Sequence, residues 1–337
     1  MSPSLDPFFT IAVPTYNRAA LLRKLLPRLL NQSFADFELI VSDDASTDET
    51  PELMRKFSDP RLRYVRREHN LRFARNINTC MAEARGRYFV LNQDDDVLHG
   101  RFLERCHAAV RDRPDVVMYA APVWRGGGRA SHASMPLIAA PAAEQQYYVV
   151  DDLPIEIAGP VAAAKTLCRI PFAFPAIALR TDAMRRAGGF DVDCESYGTD
   201  VVVLVKVTVQ GSCIYDPRFG AYYRLHESNT SRRQGKQERL RLHRLSRDRA
   251  VEAMREAGLP WADLVRAELE TMGSGELLHI FKQLAESGVA PELQAAAFGA
   301  LVRGWPRSRL RLVQKLASRV GIVNLARYLL SQYNTPP

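Results

Sequence analysis

Three aspartates stand side by side at Asp94, Asp95 and Asp96, directly after the apolar stretch "YFVL" and the amides Asn92 and Gln93. Adjacent carboxylates repel one another, and an acidic run is ordinarily a solvated loop. This one follows a stretch that reads as a buried strand, where solvation is poor and the repulsion needs a positive charge to offset it. Hard divalent cations such as Mg2+ take one or two carboxylates together with substrate phosphates, while Mn2+ also accepts imidazole. A bound cation relieves the repulsion, so the cluster reads as half of a metal site that a diphosphate completes. Two further polar groups, Pro14-Thr15-Tyr16-Asn17 and Asp43-Asp44, likewise follow apolar runs.

The elements that must bring these groups together alternate along the chain. Strands are expected over residues 8–13, 37–41, 61–65, 87–91 and 115–120. Helices are expected over 19–32, 46–57, 73–84 and 100–112, the first with Leu22, Leu25, Leu26 and Leu29 at helical spacing. Pro27 lies inside that first helix, and Ser46 or Thr47 is the expected cap of the second. Strands alternating with helices imply an α/β fold with a mainly parallel sheet covered on both faces. Ligands bind such sheets at the carboxyl ends of the strands, where all three polar groups fall.

Composition narrows the class. The chain has 337 residues, 47% hydrophobic, and a net charge of +8. Residues 1–230 hold 28 basic and 28 acidic residues; residues 231–337 hold 18 and 10, so the whole excess sits in the C-terminal third. No apolar run reaches the roughly 18 residues of a membrane span, and no signal peptide is read at the N-terminus. The five cysteines are scattered and never form a CxxC pair, which points to a reducing cytoplasm rather than a disulfide framework. Residues 122–170 have no clean period. From about 231 the chain is helical and basic, and between Arg303 and Arg327 seven basic residues stand without an acid. Basic residues interleaved with leucines and valines over 303–333 suit a peripheral contact with an anionic membrane, or a helical lid or oligomer contact. No nucleic-acid motif is present.

Four blocks in order, "TIAVPTYNRAALL", "FELIVSDDASTDET", "HNLRFARN" and "RGRYFVLNQDDDVLHGRFLE", resemble the inverting family 2 glycosyltransferases of GT-A fold. The resemblance covers residues 8 to about 230. It implies a GT-A (Rossmann-like) domain over 1–230, with a donor half to about 120 and an acceptor half over about 121–230, followed by a basic α-helical region over 231–337. Under it, Pro14, Thr15, Tyr16 and Arg18 match the nucleotide-holding loop. Asp44 matches the acid that accepts a hydrogen bond from the nucleobase, fitting a carboxylate opposite the N–H of a uracil or thymine ring. Arg75 and Asn76 match a pair near the nucleotide. Asp94 and Asp96 match the DxD pair, with Asp96 favoured for metal contact and Asp95 the alternative if the register shifts by one.

Downstream, "ALRTDAMRRAGGFDVDCESYGTDVVVLVKVTVQG" resembles the family's acceptor region. There Asp200 matches the catalytic base, a role compatible with capping its helix. In "AYYRLHESNTS", His226 matches a further metal ligand of some relatives, and Arg224 is suited to the leaving diphosphate. The implied reaction moves a single sugar from a UDP- or dTDP-sugar to a glycan or lipid-linked acceptor, with Mn2+ or Mg2+, at or near the inner membrane face.

Three departures stand out. Thr199 occupies the place of a second acid before the base. "HNLRFARN" lacks the glycine usual in that block, with Arg72 or a neighbour in its place. The QxxRW motif of processive synthases is missing. A nucleotide-sugar-binding scaffold stays open as an alternative, while a sugar nucleotidyltransferase is disfavoured because "VPTYNR" has no glycine-rich phosphate loop.

Overall fold

The computed structural model describes residues 6–127, 153–168, 172–194, 197–225, 235–259 and 263–264. The chain divides into two compact units, Met1–Ala257 and Gly258–Pro337. Every element below lies in the first, and residues 303–333 lie outside the described residues.

The first half alternates as expected: β1 (Phe9–Thr15), α1 (Ala19–Leu30), β2 (Phe37–Asp43), α2 (Thr50–Met54), β3 (Leu62–Arg66), α3 (Phe73–Glu83), β4 (Tyr88–Leu91), β5 (Val97–Leu98), α4 (Phe102–Val110) and β6 (Val116–Ala120). Then come β7 (Val123–Gly127), β8 (Ile155–Ile157), α5 (Gly159–Cys168), β9 (Ile177–Arg180), α6 (Thr181–Arg186), α7 (Thr199–Thr208), β10 (Ser212–Tyr215), β11 (Ala221–Leu225) and α8 (Lys236–Glu256).

The main sheet runs β3-β2-β1-β4-β9-β6-β10-β8. β1 is parallel to both β2 and β4, and β2 to β3, whereas β9 is antiparallel to both β4 and β6. β1, β2, β4 and β6 are buried along their whole length, as strands covered on both faces must be. Phe9, Ile11 and Val13 pack with Leu22, Leu25, Leu26 and Leu29 of α1 on one side. Ala12, Phe89 and Leu91 pack with Ile77 and Met81 of α3 on the other. A small sheet, β5-β11-β7, joins the segment after the three aspartates to β11.

Two local details differ from the sequence expectation. The second helix is short and begins at Thr50, with Glu49 at its cap position and no side-chain cap bond. Ser46 and Thr47 serve the neighbouring loop instead: the Asn17 N–H donates to Ser46 Oγ at 2.9 Å and the Thr47 N–H to Asn17 Oδ1 at 2.7 Å. Helix α8, which the sequence places in the C-terminal region, belongs to the first unit, with Leu242, Ser246, Ala250 and Met254 buried. Among the described residues no helix is long and apolar enough to cross a membrane.

Gly86 sets the approach of β4 to β1. A Cβ there would lie 2.3 Å from the backbone N of Thr10 and 2.4 Å from the carbonyl carbon of Phe9. Backbone cannot yield as a side chain does. Gly86→Ala is therefore expected to cost about 2–3 kcal/mol, at the upper end of overpacking substitutions, with the loss read by urea denaturation. Gly188→Ala, at φ +79° with no atom within 4 Å of the added carbon, is the control, costing only the left-handed penalty of about 1–2 kcal/mol.

Candidate active site

Strand register builds the site. Ala12 lies opposite Leu91, and Thr15 opposite Asp43. Extending the first pairing by three residues brings Asp94 beside Thr15, and there Thr15 Oγ1 donates to Asp94 Oδ2 at 3.0 Å. On the other flank the Asp44 N–H donates to the Thr15 carbonyl at 2.9 Å. Thr15 thus ties the ends of β2 and β4 to the end of β1.

Arg18 supplies the positive charge that the acidic run requires. Its Nη1 donates to Asp94 Oδ1 at 3.1 Å and to Asp95 Oδ2 at 3.0 Å. Partial burial works against its charge, but the two carboxylates prevail and hold the guanidinium above its ordinary pKa. Asp96 is served differently: its Oδ1 accepts the backbone N–H of Arg224 from β11 at 3.1 Å. All three aspartates are buried. Burial, with the neighbouring Asp95 carboxylate, pushes Asp94 up to about 7 against the pull of Arg18. The same two causes raise Asp96 well above the carboxylate range, with the Arg224 N–H opposing them.

Asp96 Oδ2 is buried and meets no hydrogen-bond partner among the described residues. A buried carboxylate oxygen without a donor is costly. A divalent cation is the ligand chemistry that satisfies it, so the residues fit a metal. Among the described residues, no group of three or more histidine, cysteine or acidic side chains forms a metal cage. Mg2+-type ions commonly take their remaining ligands from water and phosphate.

The paired acids of "SDDAS" divide their work. Asp43 is fully buried and structural: it accepts from the Tyr64 hydroxyl at 2.6 Å and from the Ser46 N–H at 2.9 Å. Asp44 is clamped by two backbone donors, Leu71 N–H on Oδ1 at 2.7 Å and Arg72 N–H on Oδ2 at 3.0 Å. Burial raises its pKa, with those two N–H groups opposing. Each oxygen keeps acceptor capacity for one more donor.

The other sequence-derived residues are spread around this centre. Pro14 is buried within β1, and Tyr16 is exposed on the loop after it. Arg75 is exposed on α3. Asn76 is turned inward, its amide donating to the Ser42 carbonyl at 3.1 Å and its Oδ1 accepting from Ser42 Oγ at 2.5 Å. Its place is to brace α3 on β2. Asp200 sits in the first turn of α7, where its Oδ1 accepts the Val201 N–H at 3.0 Å. Burial raises its pKa, with Val201 N–H and its own N–H opposing, and a carboxylate so placed is a stronger base. Just before it, Gly198 adopts φ +97°, and a Cβ there would lie 2.4 Å from Ser246 Oγ of α8. Thus α8 rests on the turn that carries Asp200. His226 lies outside the described residues.

Sequence reasoning missed the lacing that fixes the first loop. Asn17 takes the left-handed region at φ +54°, and its Oδ1 also accepts the Asp48 N–H at 3.3 Å. Asp48 Oδ2 accepts the Ala19 N–H at 3.0 Å where α1 begins. The available signal was an asparagine, a residue that tolerates φ > 0, two residues past the end of a strand.

This arrangement of a mixed, mostly parallel sheet with acids at its strand ends is the GT-A architecture. Residues 10–159 match the family model described as glycosyl transferase family 2. The chain carries a family 2 glycosyltransferase domain. Validoxylamine A glucosyltransferase of Streptomyces hygroscopicus subsp. jinggangensis is 43% identical over 84 residues, 23% of this chain and 20% of that protein. The GalNAc(5)-diNAcBac-PP-undecaprenol beta-1,3-glucosyltransferase of Campylobacter jejuni is 35% identical over 95 residues, 27% and 31% of the respective chains. These aligned stretches span only a fifth to a third of the relatives' length. Among solved structures, S. aureus TarS 1–349 in complex with UDP-GlcNAc superposes with a TM-score of 0.60 at 19% identity, covering 96% of this chain and 91% of that one. Mannosyltransferase PcManGT from Pyrobaculum calidifontis, in complex with GDP-Man and Mn2+, superposes with a TM-score of 0.52 at 19% identity, covering 98% and 87%. At this identity the structural likeness is one of fold.

The raised Asp94 pKa sets a pH dependence. The folded state holds a proton up to about 7, whereas the unfolded chain releases it near 3.8. The folded state binds more protons between these values, so stability falls as pH rises through this window and the penalty is complete above about 7. Unfolding free energies measured at pH 5 and pH 8 without divalent cation are expected to show a fall that Asp94→Asn reduces by on the order of 2 kcal/mol. An identical slope in wild type and variant contradicts the assignment.

Proposed function

We propose that the protein is an inverting glycosyltransferase that moves one sugar from a nucleoside-diphosphate sugar to an acceptor hydroxyl. The observation that carries this reading is the unpartnered, buried Asp96 Oδ2 beside the Arg18-bridged pair Asp94 and Asp95. Asp94 and Asp96, with His226, would hold Mn2+ or Mg2+. That ion would supply Lewis-acid neutralisation of the donor diphosphate as it leaves.

The chain's own residues divide the remaining tasks. Asp44, fixed by the Leu71 and Arg72 amides, accepts the imide N–H of a uracil or thymine ring, so UDP- and dTDP-sugars are the favoured donors. Pro14, Thr15 and Tyr16 line the nucleotide's approach, Arg75 adds positive charge, and Arg224 serves the leaving diphosphate. Asp200 takes the proton of the acceptor hydroxyl while that oxygen attacks the anomeric carbon. The bond from that carbon to the diphosphate oxygen breaks on the opposite side, which inverts the centre.

The acceptor class is a glycan or lipid-linked sugar of surface-glycan synthesis. The enzyme works in the cytoplasm, with the basic residues of 303–333 contacting the inner membrane face. Two relatives' names, a glucosyltransferase acting on validoxylamine A and one acting on an undecaprenol-linked saccharide, frame this range from soluble to lipid-linked acceptors.

A melting-point panel of nucleotide-sugars with Mn2+ tests the donor reading, because a ligand of the folded state raises the midpoint. A UDP- or dTDP-sugar is expected to raise it by several degrees and guanosine donors to leave it unchanged. With the donor so identified, Asp200→Asn should keep the shift and lose transfer about 10²–10⁴-fold, the range of general-base catalysis. Full transfer by the variant removes Asp200 from this role.

A further inference from the structure

Arg72 has a backbone that suits glycine. It adopts φ +68° and ψ 171° at the entrance to α3, a region that is essentially glycine-only because a Cβ is strained there. The conformation has a purpose: it turns the Leu71 and Arg72 N–H groups onto the two oxygens of Asp44. The Arg72 N–H is shared with Asn70 Oδ1 at 2.9 Å. That purpose belongs to the main chain and would be met at least as well by glycine. The side chain is exposed, and its guanidinium has no hydrogen bond or ion pair among the described residues. A strained backbone carrying an exposed side chain with no hydrogen bond or ion pair among the described residues calls for a different reason to keep that side chain.

Position supplies one. Because the Arg72 N–H contacts Asp44 directly, its side chain leaves the backbone next to the carboxylate assigned to the nucleobase. We propose that Arg72 is a specificity-determining residue of the donor site, whose guanidinium covers the face of the pyrimidine ring held by Asp44. A planar guanidinium stacks on aromatic faces and is weakly hydrated, so such contact is favourable where an ammonium's is less so. Asp44 then reads the edge of the base while Arg72 holds its face, and the strain at Arg72 is the stability given up for that contact. This inference rests on the nucleoside-diphosphate-sugar reading above.

The test separates backbone from side chain. Arg72→Gly removes both the strain and the guanidinium; Arg72→Ala removes only the guanidinium. Arg72→Gly is expected to raise the melting midpoint by about 2–4 °C, the shift that partial relief of such strain produces in a domain of this size. Arg72→Ala is expected to leave it within a degree. Calorimetric titration with UDP and Mn2+ should show both variants about tenfold weaker than wild type. Titration with inorganic pyrophosphate and Mn2+ should show no change, because Arg72 serves the base end only.

Equal UDP affinity in wild type and both variants overturns the inference, as does an equal loss for pyrophosphate. If wild-type protein binds none of UDP, dTDP or pyrophosphate, the donor-site reading itself fails, a result distinct from either of these. Should Arg72→Gly not fold, the strain argument is wrong, and Arg72→Ala still reports on the side chain.

Discussion

The bridge from Arg18 to Asp94 and Asp95 is the contact on which the site depends. Three buried carboxylates in sequence would otherwise drive the β4 end apart or force their own protonation. One guanidinium at the start of α1 holds two of them at about 3 Å, and a backbone N–H from β11 holds the third. The compensation is incomplete. Asp94 remains raised to about 7 and Asp96 higher than an ordinary carboxylate, so the cluster keeps a deficit of positive charge. That deficit, with the unpartnered Asp96 Oδ2, is the ground on which a cation is proposed at the end of β4.

The rest of the first unit reads as the means of keeping that bridge in place. Thr15 couples the three strand ends through one hydroxyl and one carbonyl. Asn17 and Asp48 lock the loop from β1 into α1, which carries Arg18. Asp43 and Tyr64 fix the end of β2 so that Asp44 alone is presented. Gly86 allows β4 to approach β1 closely enough for the register that sets Asp94 beside Thr15. Most of these ties are short and cross between elements, which is how a site assembled from separate loops becomes preorganised.

Much of this was legible in the amino-acid order because the strands are buried on both faces. Continuous apolar runs such as "FELIV" and "YFVL" declare themselves, and the polar residues that end them mark the ligand edge. The acids at 94–96 and at 43–44 stand at such strand ends in the sequence, and the structure places them there. The partner of the aspartates was not: Arg18 lies 76 residues from Asp94, and only the register of β1 against β4 brings them together. The resemblance puts Asn76 near the nucleotide, and in the fold its amide is bonded to Ser42. A buried asparagine and a ligand-binding one carry the same sequence signal, and only burial distinguishes them. The missing glycine in "HNLRFARN" was visible as a departure. That Arg72 keeps the glycine conformation regardless is a three-dimensional fact, because φ is set by what Asp44 demands of the main chain.

The central claim is that the acidic triple is the cation-and-diphosphate end of a donor site. Its most direct test is the thermodynamic coupling between metal and nucleotide, measured by calorimetric titration of UDP with and without Mn2+ in wild type and in Asp96→Asn. Linked binding at adjoining positions makes each ligand tighten the other by the same factor. The account predicts that Mn2+ tightens UDP at least about tenfold in wild type, and that this coupling collapses towards unity in the variant while the fold persists. UDP affinity independent of Mn2+ in wild type, or coupling undiminished in Asp96→Asn, would contradict it.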